Sequence, residues 1–166
     1  LFLPCIFIIF SACHSGDPYK NWNMVNGNAT GNKFSSLDQI DTGNVQELQP
    51  AWTYHTGDAD TAAHSQIQCN PIVVNGVMYV ISPQLKLIAL NAATGKQIWT
   101  YSTFDTISGS KKSFFVMNNC RGVAWWSDGK DDERIFYTAG SYLRAIDAKT
   151  GRPVETFGNK GLVDLR

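Results

Sequence analysis

The chain has 166 residues, room for one ordinary domain but short for a large closed β architecture. Fourteen Lys and Arg balance fourteen Asp and Glu, which argues against a nucleic-acid footprint or a basic membrane-binding face. Aromatics at 12% and 14 glycines suit many short strands joined by tight turns, so the expected class is all-β.

The first residue is Leu1, and residues Leu1 to Phe10 are apolar apart from Pro4 and Cys5. A run this short cannot cross a bilayer as a helix, which needs about 20 residues, but it suits the apolar part of a signal peptide. Phe10-Ser11-Ala12-Cys13 resembles a lipobox with Cys13 as the lipidated residue, although Phe10 stands where Leu is usual. Residues 1–13 are therefore read as a truncated signal peptide. Lipid anchoring, plain secretion and a buried N-terminal strand are the three readings. The first two place the protein in the periplasm or at the outer membrane and cell envelope, with membrane contact only through a lipid anchor. Cys5 and Cys13 belong to that leader, so the mature chain keeps Cys69 and Cys120 in an oxidising compartment. A disulfide and two buried thiols are both open for that pair. No Cys-x-x-Cys or Cys/His cluster has zinc spacing, so a zinc site is excluded.

Residues 14–20 carry Gly16 and Pro18 among polar neighbours and read as a flexible tether, with the folded body running from 21 to 166. An irregular stretch to Lys33 is expected, pinned by Trp22 and Met24. Asp38 to Leu48 suggests a short helical turn, and Ala51-Trp52-Thr53-Tyr54 a strand. Ile72-Val73-Val74, Asn75-Gly76 and Val77 to Ile81 predict a hairpin with a type I′ turn, whose two central residues both need positive φ. A strand over Leu85 to Leu90 follows, then a turn at Asn91 to Lys96 and a strand from Gln97 to Tyr101. Arg134 to Ala139 is predicted to pair across Gly140-Ser141 with Tyr142 to Asp147, before a second turn at Ala148 to Arg152.

Ala89-Leu90-Asn91-Ala92-Ala93-Thr94-Gly95-Lys96 aligns with Ala145-Ile146-Asp147-Ala148-Lys149-Thr150-Gly151-Arg152, so one unit of strand, turn and strand occurs twice. Asn91 or Asp147 can cap the turn with its side chain, and Gly95 or Gly151 supplies a backbone conformation other residues resist. The following strand is expected to carry Trp99 in one copy and Phe157 in the other, with Trp52 in a similar setting. A large aromatic once per repeat would fill the gap between neighbouring sheets, which is the logic of propeller blades.

The segment Ala89 to Trp99 resembles the tryptophan-docking repeat of quinoprotein dehydrogenases that use pyrroloquinoline quinone (PQQ). Asn21-Trp22 through Phe34 to Ile40, and Asn44 through Ala51-Trp52-Thr53-Tyr54 to Asp58, resemble the opening of that family. Gln68-Cys69-Asn70-Pro71 through Tyr79 resembles its first-blade segment, and Cys120-Arg121-Gly122-Val123-Ala124-Trp125-Trp126 its Arg-Gly segment, closest to glucose-oxidising members. The resemblance implies a partial β-propeller, the first blades of an eight-bladed ring, ending before the catalytic aspartate, the calcium ligands and the tryptophan floor under the quinone. It implies that Arg121 contacts the quinone, a role suited to a permanently charged guanidinium that forks onto carboxylate and ortho-quinone oxygens. Gln68 stands where many members have a glutamate near the cofactor, so it offers hydrogen bonds without charge. Cys69 and Cys120 flank these two positions, and the resemblance implies that they approach each other beside the cofactor.

The parent protein is thus expected to oxidise a sugar or alcohol CH–OH group with PQQ and calcium and to pass electrons to a membrane quinone or cytochrome c; the fragment alone is expected to be inactive. The alternative is a non-enzymatic propeller lipoprotein built from related repeats and acting as a binding or assembly scaffold. His14, His55 and His64 lack ligand spacing and read as solvated loop residues. Asp131-Asp132-Glu133 reads as a solvated turn rather than a calcium loop. No phosphate-cradling glycine loop or serine-nucleophile motif occurs.

Overall fold

The computed structural model describes residues 17, 19–59, 65–103 and 119–166. The leader with Cys5 and Cys13, His14, His64 and most of the span read as a tether lie outside the described residues. Ordered contacts already occur at Tyr19, whose ring meets Phe34 edge-on at 5.2 Å and whose carbonyl accepts from the Ser36 amide at 3.3 Å.

Two four-stranded antiparallel sheets follow one another, each a simple meander. The first comprises β1 (Ile72–Val74), β2 (Val77–Ile81), β3 (Leu87–Asn91) and β4 (Gln97–Tyr101). The second comprises β5 (Ala124–Ser127), β6 (Glu133–Ala139), β7 (Tyr142–Asp147) and β8 (Leu162–Asp164). β1 and β2 pair as predicted, Val74 opposite Val77, and Asn75 and Gly76 take φ of 50° and 79°. Only a turn with both central residues left-handed matches the twist of the flanking strands at this length. The lead-in segment caps that turn: the Asn75 amide donates to Asn21 Oδ1 at 3.1 Å. Beside it, Trp22 exchanges two backbone hydrogen bonds with Val73, of 2.9 and 2.8 Å.

The repeated turns form as the sequence requires. Asn91 Oδ1 accepts from the Ala93 and Thr94 amides and the Thr94 hydroxyl, and Asp147 Oδ1 accepts from Lys149, Thr150 and the Thr150 hydroxyl. Gly95 and Gly151 have φ of 69° and 72°. These turns fix where the tryptophans dock. Trp52 Nε1 donates to the Ala92 carbonyl at 3.1 Å with its ring against Gly95, and Trp99 Nε1 donates to the Ala148 carbonyl at 3.0 Å with its ring against Gly151. Each aromatic therefore locks one repeat onto the next, and the core lies between the sheets. Ile72, Ile81, Leu87 and Ala89 of the first sheet share a cluster with Ile135, Tyr137 and Ile146 of the second and with Ala148 in the turn after β7. Burying each of the larger aliphatic side chains is worth about 1.5–3 kcal/mol.

Two expectations are corrected. Ala51 to Tyr54 is not a ladder strand; Trp52 and Tyr54 point inward and Thr53 outward with a strand's alternation, but among the described residues no neighbouring strand pairs with them. No strand follows Gly151 directly. Pro153 has no amide to donate, so after one bridge to Ile146 the ladder lapses and resumes only at β8, while Phe157 sits in the intervening turn against Phe136, 5.3 Å away. The short helical turn expected within 38–48 forms as a 3-10 turn, Val45–Glu47. β5 and β8 were not foreseen.

Candidate functional site

The first strands of the two sheets, β1 and β5, begin side by side. Just ahead of them Asn70 and Gly122 form a parallel bridge between the two sheets. The Asn70 amide and its Nδ2 both donate to the Arg121 carbonyl, at 2.9 and 3.0 Å, so one asparagine clamps the backbone that carries the arginine. Gly122 is required by packing rather than by φ: a Cβ there would stand 2.9 Å from Val25 Cγ2 of the lead-in segment.

A cleft of about 530 Å³ opens at this junction, lined by Val25, Asn70, Arg121, Gly122, Val123, Ala124, Phe136, Tyr137, Thr138 and Leu143. Most of this wall is apolar. Its charged or hydrogen-bonding side chains are the exposed Arg121 and Asn70 and the Thr138 hydroxyl. The Tyr137 hydroxyl is buried against Thr103 at 2.7 Å, and burial pushes its pKa far above that of a free phenol, so it stays neutral. An apolar wall that carries one exposed cation and neutral hydrogen-bonding groups can receive a ligand with both an acidic group and an apolar surface.

Of the residues singled out from sequence, Arg121 lines the cleft. Gln68 does not: it is exposed, two residues ahead of Asn70, and its Nε2 donates to Gln66 Oε1 at 3.2 Å. Cys69 and Cys120 are free thiols here, and the disulfide left open by the sequence is not formed in this structure. They do share a neighbourhood: Cys120 is buried in the inter-sheet cluster and Cys69 packs against it. The Cys120 thiol donates to the Gly122 carbonyl at 3.0 Å. Burial, with a smaller push from Cys120, raises the Cys69 pKa to about 11. His55 is exposed, as expected. At the solvated turn, Arg134 pairs with Asp132 at 2.5 Å and Glu133 lies 3.9 Å from Lys149; among the described residues no group of acids, histidines or cysteines could hold a metal ion.

Sequence reasoning missed Asn70, Val25 and Thr138. Thr138 was accessible from alternation alone: Ile135, Tyr137 and Ala139 turn inward on β6, which sends Phe136 and Thr138 to the cleft side. Val25 had no local signal, since it reaches the cleft only because Trp22 ties its segment to β1.

The family described as "PQQ: Glucose/ethanol/alcohol dehydrogenase, beta-propeller domain" matches residues 22–166. Quinoprotein glucose dehydrogenase of Escherichia coli (strain K12) is 31% identical over 161 residues, covering 89% of this chain and 20% of that protein. The dehydrogenase subunit of alcohol dehydrogenase (quinone) from Gluconobacter oxydans (strain 621H) is 37% identical over 147 residues, 88% of this chain and 18% of the relative. Among solved structures, quinohemoprotein alcohol dehydrogenase from Comamonas testosteroni superposes with a TM-score of 0.64 at 30% identity, over 85% of this chain and 20% of that one. A europium-containing methanol dehydrogenase gives a TM-score of 0.62 at 28% identity, over 83% of this chain and 23% of its own. The chain thus spans about a fifth of the length of the curated relatives it matches. With two interlocked four-stranded blades and an arginine clamped where their first strands begin, the chain belongs to the β-propeller domain family of PQQ-dependent glucose, ethanol and alcohol dehydrogenases.

Proposed function

We propose that this chain supplies the first two blades, and one wall of the cofactor site, of a quinoprotein dehydrogenase that oxidises a sugar or alcohol CH–OH group. The observation that carries this reading is Arg121, an exposed guanidinium on an otherwise apolar cleft, its backbone held by Asn70 where β1 and β5 begin. PQQ, if bound, would supply the acceptor for the two electrons and for the two hydrogens, one from carbon and one from oxygen, that a CH–OH group loses on oxidation, and a calcium ion would supply polarisation of it. Arg121 would hold a carboxylate or ortho-quinone oxygen, Asn70 would fix the loop beneath it, and Thr138 would offer one neutral hydrogen bond. Gln68 enters this reading only as a neighbour able to turn toward a bound ligand. Calcium ligands would come from the longer protein.

Glucose-like substrates are favoured because Cys120-Arg121-Gly122-Val123 resembles sugar-oxidising members, and electrons would pass to a membrane quinone or cytochrome c. Export to the cell envelope, with or without lipid on Cys13, belongs to the same reading. So does an oxidised form in which Cys69 and Cys120 lose two thiol protons and two electrons to a disulfide-exchange oxidant and join. Non-reducing peptide maps of the exported protein should show that link, and two free thiols there would remove it from the proposal. The scaffold alternative is not favoured, since the relatives matched are dehydrogenases.

The test is reconstitution of the full-length protein with PQQ and calcium, followed by dye reduction with aldoses, polyols and simple alcohols. Activity is expected with at least one of these. Arg121→Ala should weaken PQQ binding about 10- to 150-fold, the range for losing a charge-assisted hydrogen bond of about 1.5–3 kcal/mol, and Arg121→Lys by less. Full PQQ affinity in Arg121→Ala would defeat the assignment.

A further inference from the structure

Trp52-Thr53-Tyr54-His55-Thr56 and Trp99-Thr100-Tyr101-Ser102-Thr103 share the pattern Trp-Thr-Tyr-x-Thr. The second copy begins on β4, the edge strand of the first sheet, and from there Trp99 reaches the turn of the second sheet, with Nε1 on the Ala148 carbonyl and its ring on Gly151. Trp52 makes the same two contacts one sheet earlier, with Nε1 on the Ala92 carbonyl and its ring on Gly95. Tyr54 extends that contact by donating to Gln97 Oε1. Ala92 and Ala148 each directly follow the residue that caps its turn, Asn91 or Asp147, so the two docking contacts are equivalent. Residues 52–56 therefore stand before the first sheet as β4 stands before the second.

Their side chains alternate accordingly: Trp52, Tyr54 and Thr56 are partly buried, Thr53 and His55 exposed. What differs is the ladder. β4 pairs with β3, Leu87 opposite Tyr101, Ile88 opposite Thr100 and Ala89 opposite Trp99, whereas the backbone of residues 52–56 makes no hydrogen bond among the described residues. An extended segment held in place by its side chains, with its backbone edge unpaired, is a template for an added strand.

We propose that residues 52–56 are the fourth strand of a further sheet, whose third strand comes from a later part of the same, longer polypeptide. In a ring of sheets the one standing before the first is the last, so this pairing would close the ring. The curated relatives are about five times as long as the span matched here, which leaves length for the other strands of that sheet. Repeating the β3–β4 register makes the incoming strand antiparallel, with a small residue opposite Trp52, as Ala89 is opposite Trp99. A large aliphatic residue would face Tyr54, as Leu87 faces Tyr101. A strand of the same polypeptide is favoured over one from a second copy because the tether gives it a far higher effective concentration. The inference rests on the reading that this chain opens a longer propeller, and it is independent of what the cleft binds.

The test uses the full-length protein and two readouts, neither of them activity. Hydrogen exchange shows whether the strand is paired: alternate amides in 52–56 should exchange at least about 100-fold more slowly than in an unfolded peptide. Photo-crosslinking shows by what. Thr53 is replaced by p-benzoylphenylalanine, because its counterpart Thr100 reaches the partner strand, 3.4 Å from the Leu87 carbonyl. After irradiation, peptide mapping should find the link within one molecule, in a segment beyond residue 166 that carries the small and large residues named above. Free exchange throughout 52–56, a link confined to residues 1–166, or links only between two molecules would overturn the proposal. If the benzophenone variant does not fold, exchange in the wild type decides. A linked protein without dye reduction would count against the cofactor reading and leave this pairing standing.

Discussion

Trp99 and Gly151 touch across the boundary between the blades so closely that a Cβ built on Gly151 would stand 2.7 Å from the indole ring. Gly151→Ala therefore incurs both a clash and a positive φ of 72°. Together these should destabilise the protein by about 2–4 kcal/mol. Gly129 has a φ of 78° with nothing within 4 Å, so Gly129→Ala should show the backbone cost alone, about 1 kcal/mol. Denaturant midpoints of the two variants separate the contributions, and equal losses would mean that the ring contact does not matter.

The Ala148 carbonyl is a shared acceptor, receiving Trp99 Nε1 at 3.0 Å and the Tyr79 hydroxyl at 3.2 Å. Trp99→Phe and Tyr79→Phe each remove one donor, and one remains. The double variant leaves a buried carbonyl bare, so its loss should exceed the sum of the single losses by about 1 kcal/mol or more. Strict additivity in a double-mutant cycle would show that the two bonds do not share this role.

Asp58 ties the lead-in segment to the β2–β3 loop. Its Oδ2 accepts from Ser82 Oγ at 2.6 Å and lies 3.6 Å from Lys86 Nζ, while its carbonyl accepts from Gln84 at 3.0 Å. Asp58→Ala leaves the buried Ser82 hydroxyl without its acceptor and should cost about 1–3 kcal/mol. Asp58→Asn keeps an oxygen there and should lose less. Chemical denaturation of both variants checks this, and an unaltered midpoint in Asp58→Ala contradicts it.

Cys69 should be a slow thiol in the reduced protein. Its pKa is raised from 9.0 to about 11, chiefly by burial, so its thiolate fraction at pH 8 is about 100-fold below that of a free cysteine. Iodoacetamide should label it correspondingly slowly, with the rate climbing as pH rises toward 11. The stability linkage has the same sign. The protonated form is favoured in the fold, so this contribution is complete below pH 9 and fades as pH rises through about 11. Labelling at the free-thiol rate in the folded state would refute the burial argument.

The parts legible in the sequence are those ruled by local chemistry. Asn75-Gly76 specifies its turn because few residue pairs tolerate two positive φ values in succession. The Asn/Asp-x-x-Thr-Gly turns carry their own caps, and their recurrence together with large aromatics such as Trp52 and Trp99 betrays a stacked repeat. What no local pattern could disclose depends on which segments meet. That Asn70 clamps Arg121 across 51 residues, that Val25 reaches the cleft and that Ala51 to Tyr54 finds no ladder partner among the described residues are decided when the sheets stack. Arg144 makes the same point. A strand pattern places it on one face of β7, but only the first sheet closing over that face turns an ordinary arginine into a buried charge.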